Sequence, residues 1–286
     1  LYIIELGINF KNNKLFKKTR LYYLNTLQEK NPNEKIYLNF GVYKLLDKSN
    51  KILLLSGYEN SKILLCLDEK NNPVYYFSDS NGFNNKINDK NDFLLIGDSY
   101  VQGMCVQNEN NLNAQFKKFS YQTNSLAVGG NGPLLELATF KEYRDQYNYN
   151  DVILFITPSN DYLDLSKEIK NKILLNYLDK KNFNQNLNNE ENKKIKISIL
   201  DSFFGKKTQR FLNDILSVYH FNLKSLVNSI EDLLKNKKTL KKNYAYLFNK
   251  EIDIFFIKVL NEFINSLDKE NKKFYVVFNA VNPDIL

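Results

Sequence analysis

Three short polar blocks, spaced at nearly equal intervals, constrain the fold of this chain more than any other feature of its sequence. Ser99 closes the first block, Gly130 lies in the second 31 residues later, and Asn160 lies in the third after a further 30 residues. An interval of this length is that of one strand-helix-strand unit. Each block can therefore follow a successive parallel strand, at the sheet edge where open α/β folds build their sites.

Apolar runs stand where this arrangement requires strands. Residues 93–96 precede the first block, residues 125–128 precede the second, and the nearly continuous apolar run 151–156 precedes the third. A run of the last kind is typical of a central parallel strand that is buried on both faces. Between the strands, the pattern predicts a helix over 111–119 and another over 133–147, with Pro133 in its first turn.

The sequence on either side of these units has a different character. Residues 1–90 predict a β-rich segment, with strands at 52–55, 63–67 and 74–77 and turn-forming residues between the last two. Residues 166–272 predict a helical insertion, because apolar residues recur at helical spacing through 211–234. The run 274–278 predicts the next core strand.

The three blocks resemble, in the same order, those of the SGNH (GDSL-type) hydrolases. They read Gly97-Asp98-Ser99 for the nucleophile block, Gly129-Gly130-Asn131-Gly132 for the glycine block, and Ser159-Asn160-Asp161 for the Asn-Asp block. Residues 78–85, which read Ser-Asp-Ser-Asn-Gly-Phe-Asn-Asn, resemble a stretch that precedes the nucleophile block in one large group of bacterial SGNH-like proteins. The resemblance implies a flavodoxin-like three-layer α/β/α core over residues 91–286, interrupted by the helical insertion at about 166–272.

The same resemblance assigns roles to individual residues. It implies that Ser99 is the nucleophile, and that the N–H groups of Ser99 and Gly130 and the amide of Asn160 form an oxyanion hole. Gly97, Asp98 and Asp161 are expected to support the site.

Two blocks depart from the family pattern. The family usually shows Asn-x-Gly-x-x-Gly at the second block, so Gly129 stays an alternative to Gly130, which we favour because Asn131 follows it. In the third block, Pro158 takes the place of the family's glycine.

The general base is the missing part of this site. The family's last block is an Asp-x-x-His pair, but His220 is the only histidine and position 217 is Ser217. His220 also falls on the apolar stripe of the insertion, and we expect it to be structural and far from Ser99. We do not expect Asp284 to begin the pair. The sequence starts at Leu1 and not at Met, so we expect a piece of a longer chain, inactive without the catalytic His and Asp.

The function that the resemblance implies is that of a serine esterase, most specifically an O-acyl or O-acetyl esterase acting on carbohydrate. Its partner would be a small ester or an acylated carbohydrate, and no metal or organic cofactor is implied. One alternative is an O-acetyltransferase of envelope polysaccharide, which passes the acyl group to a sugar hydroxyl. Another is a non-catalytic binding module on the same fold. Acyl specificity and oligomeric state stay open.

The charge and composition of the chain limit the kinds of binding partner that we expect. The net charge is +8, but the cations are nearly all Lys, with Arg20, Arg144 and Arg210 as the only arginines. Because nucleic-acid sites depend on Arg for bidentate contacts, we interpret the charge as a solvated Lys surface and expect no nucleic-acid partner. No Cys-x-x-Cys motif or His-rich cluster indicates a zinc site.

The compartment depends on the two cysteines. Cys66 and Cys105 are either buried free thiols or one disulfide, which would require an oxidising compartment. No run reaches the ~18 apolar residues of a membrane span. Since a membrane anchor commonly precedes the β-rich segment in the related group, we expect a periplasmic or membrane-anchored location, with a cytoplasmic one as the alternative.

Overall fold

The computed structural model describes residues 24, 26–27, 29–30, 34–39, 41, 52–68, 72–86, 90–180, 182–205, 250–267 and 271–279. Within these residues the chain is a mixed α/β protein with a three-stranded sheet and a four-stranded parallel sheet. The predicted stripe over 211–234, His220 and Asp284 lie outside the described residues. No helix of the described part is long and apolar enough to cross a membrane.

The three-stranded sheet contains β1 (Ile36–Leu38), β2 (Lys62–Leu67) and β3 (Pro73–Phe77), in the order β1-β2-β3. β1 runs parallel to β2, and β3 runs antiparallel to it. The strands predicted at 63–67 and 74–77 are therefore confirmed. In β3, buried and exposed side chains alternate from Val74 to Phe77, which is the period of a strand with one solvated face.

The strand predicted at 52–55 is wrong. All four residues are buried, but they pair with no strand of the described structure. Instead, the side chain of Gln185 accepts the N–H of Leu53 at 2.7 Å and donates to the Leu53 carbonyl at 3.3 Å. A distant side chain thus satisfies the backbone that a neighbouring strand was expected to satisfy, and an apolar run alone does not reveal such a partner.

The four-stranded sheet contains β4 (Asn91–Ile96), β5 (Thr123–Ser125), β6 (Tyr149–Ile156) and β7 (Phe274–Phe278). Its order is β5-β4-β6-β7, and every neighbouring pair is parallel. The strands predicted at 93–96 and 151–156 are confirmed. The run 274–278 is also a strand, but it is not the core strand that we expected, because β7 is the last strand of the described sheet and none of its side chains is fully buried.

The strand predicted at 125–128 is displaced, because β5 ends at Ser125. The hydroxyl of Ser125 accepts the N–H of Ala127 at 3.1 Å. This local bond offers the backbone an alternative to the ladder, so the chain leaves the sheet earlier than its apolar pattern suggests.

The helices that are described from end to end are α1 (Ser99–Gln102), α2 (Leu112–Lys118), α3 (Pro133–Tyr143), α4 (Pro158–Glu168), α5 (Lys172–Asp179), α6 (Glu190–Gly205) and α7 (Lys250–Leu267). Asn111 caps α2 by accepting the N–H of Ala114 at 2.9 Å, so the helix predicted at 111–119 is confirmed. The helix predicted at 133–147 starts at Pro133 but ends at Tyr143, and the 3-10 turn Arg144–Gln146 follows it.

Both faces of the parallel sheet are covered. On one face, Leu94 and Leu154 lie in the main core together with α3, α4 and α7. On the other face, Leu95 and Ile153 form a smaller cluster with Val101 of α1. Helices on both faces are what a buried parallel sheet requires.

A disulfide joins Cys66 of β2 to Cys105, which lies in the turn after α1, and their Cα atoms are 5.3 Å apart. The structure thereby decides between the two states of these cysteines that the sequence left open. The bond closes a loop with a sequence separation of 39. In the chain-entropy model, a loop of this length stabilises the fold by about 4 kcal/mol. It ties the three-stranded sheet to the segment that carries the first polar block.

Candidate functional site

The three polar blocks follow three adjacent parallel strands. Residues 97–99 come directly after β4, residues 129–132 come four positions or more after β5, and residues 159–161 come just after β6. Since β5, β4 and β6 are parallel neighbours, their carboxyl ends lie at the same edge of the sheet. The blocks therefore share this edge.

Ser99 is the first residue of α1, immediately after the turn that ends β4. Asp98 caps this helix and accepts the N–H of Tyr100 at 2.9 Å. Gly97 allows the close approach of the next turn, because a Cβ at this position would lie 2.4 Å from Cγ2 of Val101. Ser99 itself is half-buried, and its hydroxyl makes no hydrogen bond within the described part of the chain.

The glycine block packs against the helix that carries Ser99. A Cβ built on Gly129 would lie 3.6 Å from Cβ of Ser99. The N–H of Gly129 is already taken, since it donates to Oε1 of Gln102 at 2.8 Å. Gly130 has a φ of +89°, which favours glycine, and its N–H donates to no group of the described residues. Of the two glycines, Gly130 is therefore the one with an available donor.

Gln102 was not among the residues singled out in the sequence. Its side chain is buried, and besides accepting from Gly129 it donates to Oδ1 of Asn39 at 3.2 Å. It thus connects α1, which carries Ser99, with the glycine block and the residues just after β1. A glutamine at the end of a four-residue helix has no sequence signature that would have revealed this role.

Asn160 lies in the first turn of α4 and reaches across to the turn after β4. Its Nδ2 donates to Oδ2 of Asp98 at 2.8 Å, which leaves one amide hydrogen without a partner among the described residues. Its Oδ1 is buried and unpartnered. The Asn160–Asp98 hydrogen bond links the third block to the first.

Five carboxyl groups are buried beside the blocks. Asp164 pairs with Lys167, and we call the other four, Asp98, Glu136, Asp161 and Glu168, the carboxyl cluster. The first is 3% exposed and the other three are 0% exposed. Glu168 accepts the N–H groups at the start of α3, those of Gly132, Leu134 and Leu135, at 2.7, 3.0 and 3.4 Å. Asp161 accepts the N–H of Thr157, whereas Glu136 has no hydrogen-bond partner within the described structure.

Burial dominates the electrostatics of this cluster. It raises the pKa of Glu136 well above the ordinary value, and the nearby carboxylates of Asp161, Asp98 and Glu168 raise it further. Burial and the charge of Asp98 raise the pKa of Asp161 to about 8. Burial also raises the pKa of Glu168 to about 8, although its backbone hydrogen bonds act in the opposite direction.

The sequence analysis included Asp98 and Asp161 but missed Glu136 and Glu168. A signal existed for Glu136, which stands between Leu135 and Leu137 in a helix whose residues are otherwise mostly apolar. Glu168 had no such signal, because a glutamate at the end of a helix is ordinary.

The described residues include no histidine, since the single histidine of the chain is His220. They also include no group of three or more His, Cys, Asp or Glu side chains that could hold a metal ion. The arrangement thus places a serine hydroxyl and unoccupied N–H donors at the same edge of the parallel sheet.

Comparison of the chain with protein-family models, with curated proteins and with solved structures finds no match. The fold and the site therefore define the class of this protein only as far as a mixed α/β chain with polar residues gathered at one edge of its parallel sheet.

Proposed function

We propose that the chain is a serine ester hydrolase of the SGNH type, and that Ser99 attacks the acyl carbonyl of an O-acylated carbohydrate. The observation that carries the proposal is the pattern of occupied and unoccupied donors near Ser99. Gln102 occupies the N–H of Gly129, whereas the N–H of Gly130 and one hydrogen of the Asn160 amide have no acceptor within the described structure. Donors aimed at a developing oxyanion need to be unoccupied in this way.

In the proposed reaction, the oxygen of Ser99 bonds to the acyl carbon while its proton passes to a general base outside the described residues. The N–H groups of Ser99 and Gly130 and the amide of Asn160 stabilise the negative oxygen of the tetrahedral intermediate. The alcohol then leaves with the proton, and water attacks the acyl-enzyme and releases the acid. Ser99 and its donors return to their starting state.

The order of strands supports an SGNH-type core. Numbered by their order in the chain, the strands of the parallel sheet run 2-1-3-4, as at the start of a flavodoxin-like doubly wound sheet. Such sheets bind ligands where the strand order reverses, which here is between β4 and β6. The Asn160–Asp98 hydrogen bond spans this point.

The disulfide supports an oxidising compartment, because such bonds are rare in reducing ones. A periplasmic or envelope location, with an acylated envelope carbohydrate as substrate, is the setting that we propose. The carbohydrate part of the proposal derives from the resemblance of the three blocks to the SGNH family.

The test compares Ser99→Ala with Ser166→Ala in the full-length protein. Ser166 is a matched control, because it lies on α4 and its hydroxyl only donates to the carbonyl of Leu163. We expect Ser99→Ala to abolish both p-nitrophenyl acetate turnover and labelling by a fluorophosphonate, with Ser166→Ala unchanged. Turnover that survives Ser99→Ala would contradict the assignment of the nucleophile.

Product analysis separates hydrolysis from the alternatives. With an acetylated oligosaccharide, we expect free acetate and deacetylated sugar. Transfer of the acetyl group to an added sugar in preference to water would make the protein an O-acetyltransferase. Absence of both labelling and turnover in the full-length protein would overturn the proposed activity in favour of a binding module.

A further inference from the structure

Unpartnered buried acceptors are concentrated in four side chains around the glycine block and the start of α4. Within the described residues, these acceptors are both carboxyl oxygens of Glu136 and the Oδ1 atoms of Asn131, Asn160 and Asp161. The same four side chains offer fewer spare donors there, namely Nδ2 of Asn131 and one amide hydrogen of Asn160. Buried acceptors without donors destabilise a fold. The buried acceptors of this region therefore require hydrogen-bond donors.

Within the described residues, no ion pair with a Lys or Arg side chain supplies these hydrogen-bond donors. None of the ion pairs there involves a member of the carboxyl cluster. On α4, Lys167 pairs with Asp164 at 3.1 Å. Lys141 of α3 pairs with Glu262 and donates to the carbonyl of Tyr177. The neighbouring helices present apolar side chains, since α7 buries Phe256 and Phe263 and α5 buries Leu174. No described group of residues suits a metal ion either.

We propose that Glu136 and Asp161 carry protons in the folded protein, and that their deprotonation at high pH loosens the packing of α3 against α4 beside the Asp98–Asn160 contact. We call this protonated pair the pH-sensitive lock. The hydrogen bonds decide which carboxyls hold protons. Asp98 receives the N–H of Tyr100 and the amide of Asn160, and Glu168 receives three N–H groups at the start of α3, so both can hold a negative charge.

The other two carboxyls lack such support. Glu136 receives no donor from the described residues, and Asp161 receives one on a single oxygen. Protonation turns each into a donor and removes a charge that nothing compensates. Burial raises the pKa values of Glu136 and Asp161, but it also raises the pKa of Glu168 to about 8. The hydrogen bonds, rather than the pKa values, therefore separate Glu168 from the two protonated groups.

Rising pH then releases two protons to solvent and leaves four buried negative charges close together. Repulsion acts between α3, which carries Glu136, and α4, which carries Asp161 and Glu168. The loop before α3 holds Gly130, and the first turn of α4 holds Asn160, so the lock controls the two segments that carry the oxyanion donors. Its role in regulation rests on the proposed function, but the protonation itself does not.

Infrared spectroscopy of the full-length protein at pH 6 tests the protonation. We expect a carboxylic-acid C=O band that loses part of its intensity in Glu136→Gln and keeps it in Glu142→Gln, because Glu142 already accepts three hydrogen bonds. Asp161→Asn should remove the other part of the band, and it replaces Glu136→Gln as the test if that variant folds poorly. A wild-type spectrum without the band, or a band unaffected by both variants, would overturn the proposal.

Hydrogen exchange tests the lock. After correction for intrinsic exchange rates, we expect residues 129–136 and 157–168 to lose at least about tenfold in protection between pH 6 and pH 9. Glu136→Gln should remove most of this loss. Unchanged protection in the wild type would refute the lock even if the band is present. Ser99→Ala should behave as wild type in both measurements, so a failure of the proposed esterase activity leaves this test intact.

Discussion

The two ends of α3 each bury a glutamate, and the two side chains have opposite surroundings. Glu142, near the C-terminal end, is 6% exposed, while Glu136, near the N-terminal end, is 0% exposed. The carboxylate of Glu142 accepts the hydroxyl of Tyr177 and the N–H groups of Gln185 and Leu187. Glu136 accepts nothing from the described residues and faces other carboxyls.

The C-terminal end of α3 is organised around satisfied polar groups. The hydroxyl of Tyr143 lies 2.9 Å from that of Ser56, which also accepts from the buried ammonium of Lys196 at 3.3 Å. Lys196 forms an ion pair with Glu59. Burial lowers the pKa of Lys196, and Glu59 opposes this shift. These contacts hold α3, α6 and the segment after β1 together.

The comparison teaches that burial alone does not determine what a carboxyl does. Where donors converge, as on Glu142, hydrogen bonds satisfy the carboxyl oxygens. Where donors are missing, as on Glu136, binding a proton lowers the free energy of the folded protein. Groups of the second kind are enriched at functional sites, and here they lie beside the proposed oxyanion donors.

The largest expected effect is a loss of stability with rising pH. Because burial raises the folded-state pKa values of Glu136 and Asp161, to about 8 for Asp161, the folded protein binds protons that the unfolded chain releases above pH ~5. The free energy of unfolding should therefore fall from pH ~5 to pH ~8, by about 1.4 kcal/mol per pH unit for each proton held, or about 4 kcal/mol in all per proton. Urea unfolding across this range measures how the free energy of unfolding changes with pH. A free energy of unfolding that does not change with pH would contradict the protonation of Glu136 and Asp161.

Removing the acceptor at the satisfied end should have the next largest effect. Glu142→Ala leaves the Tyr177 hydroxyl and the two N–H groups without their partner, which should lower the free energy of unfolding by about 3 kcal/mol. Glu142→Gln, which keeps one oxygen, should lose less. Urea unfolding at pH 7 provides the measurement. A loss under about 1 kcal/mol for Glu142→Ala would mean that the hydrogen bonds to Glu142 do not stabilise the C-terminal end of α3.

The ion pair at the same end should respond to the loss of one partner more than to the loss of both. Lys196→Met leaves Glu59, whose side chain is 18% exposed, without its cation. We expect a loss of about 2 kcal/mol, below the range for fully buried pairs. The double variant with Glu59→Leu should recover part of it. A double variant that is less stable than Lys196→Met would mean that the pair itself is not the source of the loss.

The smallest expected effect is a change of slope at the unsatisfied end. Glu136→Gln removes one of the held protons, so the free energy of unfolding should be nearly unchanged at pH 5 and should then fall less steeply with pH than in the wild type, by about 1.4 kcal/mol per pH unit. Thermal unfolding at pH ~5 and pH ~8 measures this difference. If Glu136→Gln is destabilised equally at both, as we expect for Glu142→Gln, then Glu136 is an ordinary structural carboxylate.

Much of the fold could be predicted because spacing and apolar pattern report local geometry directly. The intervals that separate Ser99, Gly130 and Asn160 indicated parallel strands, and the structure contains β4, β5 and β6 as parallel neighbours. The run at 52–55 misled because its hydrogen-bond partner is Gln185, far away in the chain. The assigned roles of Ser99, Gly130 and Asn160 stay predictions, as does the division of the chain at residue 90.

The sequence by itself determined the order of the elements and placed three polar blocks after three strands, because strand and helix periods depend on near neighbours. Only the tertiary structure decided which donors near Ser99 are occupied, which carboxyls lack partners, and that Cys66 and Cys105 are bonded. The reason is that hydrogen bonding and burial depend on contacts between residues far apart in the chain. Glu136 and Glu142 are six positions apart in one helix, and only what packs around each makes the difference.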